Sequence, residues 1–273
     1  MTDESPNFKK PRAVVTGASK GIGLAIAVAL MKIGYEVIGT TRSLDLLSNA
    51  AKSAGVHFLP LELIDESSIK NFLQMVGDVD VLINNAGGSQ SGPIEEIPMR
   101  YIRRYFDQNF FGLVQLIQGV LPSMREKRHG VIINISSMAS NSPVLFSSIY
   151  AATKAAINLM SFGLRAEVRP FGIQVVVIAP FEINTSIPQD SQIKSDSPYL
   201  NATLQVRQIR EKKIRAAPSS EIVAKLVLKI LHTPSPHAFY PIGGKGAKIK
   251  GFLMKHMSQD FVAKITRNIY HLP

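Results

Sequence analysis

The sequence predicts an α/β protein built on a doubly wound parallel sheet. Three observations point there. Apolar runs of strand length alternate with helical segments over most of the chain. Near the start, a strand runs directly into a glycine-rich turn and then a helix. The later strands are almost continuously apolar, as in sheets covered on both faces.

The chain has 273 residues, of which 45% are hydrophobic and 19% charged. That composition suits one sizeable domain spanning residues 1–273. No apolar run is long enough to span a bilayer, and the first residues lack the basic-then-apolar signature of a signal peptide. With no cysteine and six histidines lacking ligand spacing, neither disulfides nor a metal site are expected. A soluble, cytoplasmic protein is the resulting expectation. Charge is uneven, however. Residues 201–273 hold thirteen Lys or Arg against only Glu211, Glu221 and Asp260, so most of the net +11 lies there. A solvated surface, an anionic membrane, a phosphorylated ligand or nucleic acid would each fit that skew.

After a polar tail, Arg12–Thr16 reads as a buried strand and runs into Gly17-Ala18-Ser19-Lys20-Gly21-Ile22-Gly23. A helix opens at Leu24. Strand, glycine loop and helix in this order make a phosphate cradle, because backbone N–H groups at the helix start face the anion. The spacing G-x-x-x-G-x-G differs from the G-x-G-x-x-G dinucleotide fingerprint. The next strand, Glu36–Thr40, ends where a dinucleotide ribose would rest. An NAD-specific site wants a carboxylate there, whereas this chain offers Thr40-Thr41-Arg42-Ser43. Arg42 can grip a 2′-phosphate, and Lys20 adds positive charge, so NADP(H) is favoured over NAD(H).

Helix and strand go on alternating through Leu44–Ala54 (helix), Val56–Leu61 (strand), Glu66–Val76 (helix) and Val79–Ile83 (strand). The last strand ends in Asn84-Asn85-Ala86-Gly87-Gly88, on the sheet edge where ligands bind. Pro98 suits the first turn of a long helix reaching about Lys127, with Asn109 its odd polar residue. A strand Val131–Ile135 then delivers Ser136-Ser137. Next, Ile149–Val168 forms a helix bearing Tyr150 and Lys154. Four apart, these two side chains share one helix face. An ammonium there should pull the tyrosine pKa down from about 10 and fit it to pass a proton near neutral pH. Ser137 can hold the same substrate oxygen.

Gly172–Ala179 is a sixth apolar strand. Residues 181–219 are irregular and polar, with a basic helical patch at Leu204–Arg215, and are expected to form a substrate lid. Glu221–Leu231 is a helix and Ala238–Tyr240 an edge strand. The C-terminal stretch 246–273 reads as a basic amphipathic helix. Its stripe Ile249, Leu253, Met257, Phe261, Ile265, Ile269 should pack on the domain or a second subunit, an anionic membrane being the alternative.

Four motifs in order identify a family resemblance: Thr16–Gly23, Asn84–Gly87, Ser137, and Tyr150-x-x-x-Lys154, thirteen positions after Ser137. From about residue 11 to 240 the chain resembles the short-chain dehydrogenase/reductase superfamily. Its segment Arg165–Ile173 resembles the subgroup of 17β-hydroxysteroid dehydrogenase type 1 and retinol dehydrogenases. The resemblance implies a Rossmann-like fold of about seven strands in the order 3-2-1-4-5-6-7 and a catalytic set Asn109, Ser137, Tyr150 and Lys154. Tyr150 would be the general acid or base, Lys154 would also hold the nicotinamide ribose, and Asn109 would hold a water at a helix kink. It further implies cofactor contacts from Gly17, Ser19, Lys20, Gly21, Ile22, Gly23, Arg42, Glu62, Leu63, Asn85, Ala86, Gly87, Tyr150, Lys154, Pro180 and Thr185, with Asn84 also lining the adenine-ribose side. A homodimer or tetramer is expected, with a small carbonyl or alcohol substrate of fairly apolar character and no nucleic acid. One departure stands out, since Phe181 replaces the family's usual glycine after Pro180. It motivates a second reading, an NADP(H)-binding sensor or scaffold with little turnover.

Overall fold

The computed structural model describes residues 10–45, 47–185, 189–191, 193–246, 249, 253 and 257–272. Nine strands lie among them: β1 (Arg12–Val15), β2 (Glu36–Thr41), β3 (His57–Pro60), β4 (Val81–Asn84), β5 (Ser89–Ser91), β6 (Gly130–Ile135), β7 (Ile173–Pro180), β8 (Gln189–Ser191) and β9 (Phe239–Ile242). Seven form one parallel sheet in the order β3-β2-β1-β4-β6-β7-β9. Counted within that sheet, this is the expected 3-2-1-4-5-6-7 of a Rossmann-like fold. The order reverses between β1 and β4, and a crevice at their carboxyl ends is where such sheets take ligands.

The helices are α1 (Gly21–Lys32), α2 (Asn49–Ser53), α3 (Glu66–Val76), α4 (Met99–Phe106), α5 (Gly112–Glu126), α6 (Ser148–Val168), α7 (Leu200–Arg215), α8 (Glu221–Leu231) and α9 (Gln259–Ile269). Strand side chains alternate between faces, which divides the core in two. On one face Ala13, Val15, Ile133 and Val176 pack with Ile26 and Leu30 of α1 and Val227 and Ile230 of α8. On the other, Val14, Leu82, Ile132 and Val175 meet Phe72 of α3, Leu116 of α5 and Ile157 of α6. Both sides being covered explains why every residue of β6 is buried. A side chain such as Phe72, 1% exposed, contributes about 1.5–3 kcal/mol by leaving water.

Three sequence expectations change. The helix expected over Leu44–Ala54 shrinks to α2, whose start is fixed by Ser48 accepting from the Ala51 amide at 3.2 Å. The helix expected from Pro98 to Lys127 is interrupted at Asp107–Phe111 by a π-helical turn between α4 and α5. In α9 the apolar stripe is turned outward. Phe261, Ile265 and Ile269 are 53%, 36% and 45% exposed, while Val262 and Tyr270 are buried. The helix has two apolar edges, and α7 takes the one ending in Tyr270. Gln205 Nε2 donates to the Tyr270 and His271 carbonyls, and Lys213 lies 5.1 Å from the Tyr270 ring centre. Ile249 and Leu253 are also exposed, whereas Lys248, Lys250 and Lys255 of the same expectation lie outside the described residues.

The described parts of the segment after β7 include a strand that its sequence does not suggest. β8 pairs with β5 beyond the end of β4, and Tyr199 Oη donates to Glu95 at 2.9 Å. It thus crosses the carboxyl edge of the sheet. Among the described residues no helix is long and apolar enough to cross a membrane.

Candidate active site

The glycine loop leaves β1 at the topological switch. Gly17 and Gly21 have φ of 63° and 58°, values that cost a side chain strain. A Cβ at Gly23 would collide with the Gly17 carbonyl and the Asn85 amide, so α1 can close on the loop only with glycine there. Thr16 clamps this loop to the end of β4. Its Oγ1 accepts from both the Asn85 and Ala86 amides at 2.9 Å, and Asn85 Nδ2 donates to the Thr16 and Gly17 carbonyls. Gly17 N in turn donates to Thr40 Oγ1 at 3.2 Å.

These residues fit a nucleotide diphosphate. α1 starts with no capping side chain and no acid in its first turn, so its leading N–H groups are left for an anion. Ser19 and Ile22 are half-buried in the same loop. Lys20 and Arg42 are both exposed, and Arg42 has no ion pair among the described residues. Thr185 closes the other side, its Cγ2 about 3.5 Å from where a Gly21 Cβ would stand. Pro180 is buried at the end of β7, and Phe181 stays in register, its N–H donating to Ile242 at 2.7 Å.

Two of the expected cofactor neighbours are used otherwise by their side chains. Leu63 is 7% exposed, its side chain in the core and its backbone packed on Gly112 of α5, while Glu62 beside it is half-buried. Asn84 is buried in the sheet and donates to Asn134 Oδ1 at 2.8 Å. Asn134 passes the chain on to Ser161 of α6. That interior polar ladder joins sheet to helix.

Asn109 and Lys154 converge beside Gly87. Its missing Cβ would sit 3.2 Å from Asn109 Oδ1 and 3.6 Å from Lys154 Nζ. Asn109 is held in the π turn. Its Nδ2 donates to the Gly88 carbonyl at 3.0 Å and to Thr153 Oγ1 at 3.1 Å, and its Oδ1 accepts from the Gly88 amide at 2.9 Å. Thr153 donates onward to the Tyr150 carbonyl, tying this turn to α6. Lys154 is 5% exposed, and its Nζ donates to the Ile135 carbonyl at 2.9 Å. Ser136, the neighbour of Ser137, spends its hydroxyl on the Lys154 carbonyl. Ser137 caps the short helix Met138–Asn141 and gives Tyr150 a side-chain hydrogen bond.

The electrostatics reverse one expectation. The Tyr150 pKa is raised, not lowered. Its ring reaches the surface in part, but the hydroxyl end is enclosed, and burial is the largest effect. The Ser137 hydrogen bond and then the Arg210 charge oppose it. Lys154 does not act as the expected counterweight. Its Nζ is 5.9 Å from the Tyr150 ring centre, and burial brings its own pKa down to about 8. Desolvation penalises both phenolate and ammonium. The site therefore favours the protonated form of Tyr150.

Arg210 of α7 is the residue that motif spacing missed, because it lies 60 positions past Tyr150. Its Nη1 donates to Ser147 Oγ at 2.7 Å. Phe146, just before that serine, takes a left-handed backbone with φ of 57° and packs its ring 6.5 Å from that of Tyr199. Among the described residues no cluster of His, Asp or Glu could hold a metal ion.

Comparison with known proteins agrees with this geometry. The family model described as short chain dehydrogenase matches residues 11–196. Human retinol dehydrogenase 8 is 35% identical over 186 residues, covering 64% of this chain and 60% of that protein. A short-chain dehydrogenase structure from Streptomyces avermitilis superposes with a TM-score of 0.79 at 30% identity, over 96% of both chains. A serine dehydrogenase complexed with NADP+ superposes with a TM-score of 0.73 at 25% identity, over 85% of this chain and 94% of that one. The chain belongs to the short-chain dehydrogenase/reductase superfamily, with a retinol dehydrogenase-like relationship.

Proposed function

We propose that this short-chain oxidoreductase interconverts a carbonyl and an alcohol on a small, largely apolar molecule, with NADP(H) as cofactor. The observation carrying this reading is the grouping of Ser137, Tyr150 and Lys154 at the carboxyl edge of the sheet, with Lys154 reaching the Gly87 turn that follows β4. Ser137 would hold the substrate oxygen, and Tyr150 would give it a proton in reduction or take one in oxidation. Lys154, joined to Tyr150 through one turn of α6, would hold the nicotinamide ribose. Asn109 would fix the π turn so that Gly87 and Lys154 keep their spacing. The bound nicotinamide supplies or accepts the hydride.

The cradle Gly17, Ser19, Lys20, Gly21, Ile22, Gly23 would carry the diphosphate, with Thr185 and Pro180 beside the nicotinamide and Asn85, Ala86, Glu62 and the Leu63 backbone towards the adenosine. Lys20 and Arg42 support NADP(H), being unneutralised cations where an NAD site would keep an acid. Half-buried Phe146 and Phe181 support an apolar pocket beneath the 181–219 segment. Exposed Leu159 and Phe162 on α6 and Phe111 on the π turn support a homodimer. The outward stripe of α9, flanked by Lys264, supports peripheral contact with an anionic surface. NADPH consumption against a panel of ketones, aldehydes, retinoids and quinones tests the activity. No reduction of any carbonyl despite tight NADPH binding would instead favour the sensor reading.

A further inference from the structure

A guanidinium charge reaches the Tyr150 hydroxyl, and proton transfer alone does not call for it. Arg210 is half-buried in α7 and pinned by its hydrogen bond to Ser147 Oγ. Ser147 is fully buried at the start of α6, and its hydroxyl makes no capping bond there. Three residues later, in the first turn of α6, comes Tyr150. The charge of Arg210 is felt by the Tyr150 hydroxyl on one side and by that of Tyr270 on the other.

What is missing around Arg210 is an acid. No carboxylate among the described residues lies within ion-pair distance of it. Glu211, next in sequence, pairs with Arg207 at 3.0 Å, and exposed Glu182 acts on Tyr270. Lys213 adds a second cation over the Tyr270 ring. Guanidinium has five N–H donors in a fixed fork, of which Ser147 takes one. A partly desolvated cation held by a single neutral hydroxyl is costly unless an anion completes it.

We infer that Arg210 is a substrate-binding residue and that the preferred substrates are acids, with a carboxylate two or three bonds from the reacting carbon, of the 3-hydroxy and 3-oxo acid type. The carboxylate meets the Arg210 fork while the hydroxyl or carbonyl oxygen meets Ser137 and Tyr150. Arg210 is anchored at the N-cap of α6 and Tyr150 lies in its first turn, which calls for a short spacing between the two oxygenated groups. The apolar remainder lies towards Phe146 and Phe181. This inference rests on the carbonyl–alcohol reading of the same site.

The test compares 3-hydroxyoctanoate with its methyl ester in NADP+-dependent oxidation by the wild type, Arg210→Gln and Arg210→Lys. The wild type is expected to prefer the acid at least about tenfold in kcat/KM. Arg210→Gln should cost the acid about 10- to 100-fold more than the ester, the worth of one charge-assisted hydrogen bond, and Arg210→Lys should recover part of it. Calorimetric titration of 3-hydroxyoctanoate into the NADPH complex gives a readout without turnover, and affinity there should fall in parallel. If Arg210→Gln proves unfolded by circular dichroism, the lysine variant and the wild-type acid-to-ester ratio decide. An ester handled as well as the acid, or equal losses on both, overturns the inference. Simple ketones reduced while neither octanoate compound is oxidised overturns it too, yet leaves the carbonyl–alcohol reading standing. No turnover of any alcohol or carbonyl removes both.

Discussion

Replacing Asn109 separates a positioning role from a merely local one. Its side chain is 1% exposed and closes three hydrogen bonds, two to the Gly88 backbone and one to Thr153. In Asn109→Ala the buried Gly88 amide and carbonyl both lose their partner, at about 1–3 kcal/mol each. A water admitted to the gap returns part of that. A net loss of about 2–4 kcal/mol follows, or a Tm lower by roughly 5–12 °C for a chain of this size. Asn109→Asp is the more pointed change. One carboxylate oxygen can still accept from the Gly88 amide, but the other then faces the Gly88 carbonyl and a Thr153 hydroxyl whose proton is given to Tyr150. Only the protonated form of the new carboxyl can donate there, so its folded pKa must lie above its unfolded value. The sign follows. The substitution is tolerated at low pH, and stability is lost as pH rises through that raised pKa. Thermal melts from pH 4 to 8 would measure it. Asn109→Ala melting within about 1 °C of the wild type, or Asn109→Asp losing no stability between pH 4 and 8, would show these hydrogen bonds to be dispensable.

Other outcomes are expected alongside. Arg42→Asp should weaken NADPH binding at least tenfold more than NADH binding, read by titrating both; equal effects would remove Arg42 from a 2′-phosphate site. The free-enzyme profile of kcat/KM for NADPH should be flat on the acid side and fall as pH rises through about 8, where buried Lys154 loses its charge. A profile level to pH 10 would show that Lys154 is not needed as a cation. Gly23→Ala should abolish cofactor binding and lower Tm, since its Cβ meets the Gly17 carbonyl.

The sheet is legible in the sequence because its information is local and repeated. The β1 strand, glycine loop and α1 announce one phosphate-binding unit, and the apolar runs of β6 and β7 announce burial on both faces. Ser137, Tyr150 and Lys154 are legible through spacing along one strand end and one helix face. Burial is not written in spacing, so spacing alone points the Tyr150 pKa in the wrong direction. Position 109 shows an odd polar residue, but the π turn around it depends on its bonds to Gly88 and Thr153. Arg210 reaches Ser147 across 63 positions. In α9, two apolar edges share one helix, and the periodicity of Phe261, Ile265 and Ile269 does not say that α7 takes the other.

Everything proposed for the site turns on Tyr150, assisted by Ser137, passing the proton to or from the substrate oxygen. Tyr150→Phe removes that hydroxyl and nothing else of the ring. With NADPH affinity confirmed by direct titration, carbonyl reduction by this variant should fall at least about 100-fold in kcat. Full turnover by Tyr150→Phe would take the tyrosine out of the chemistry.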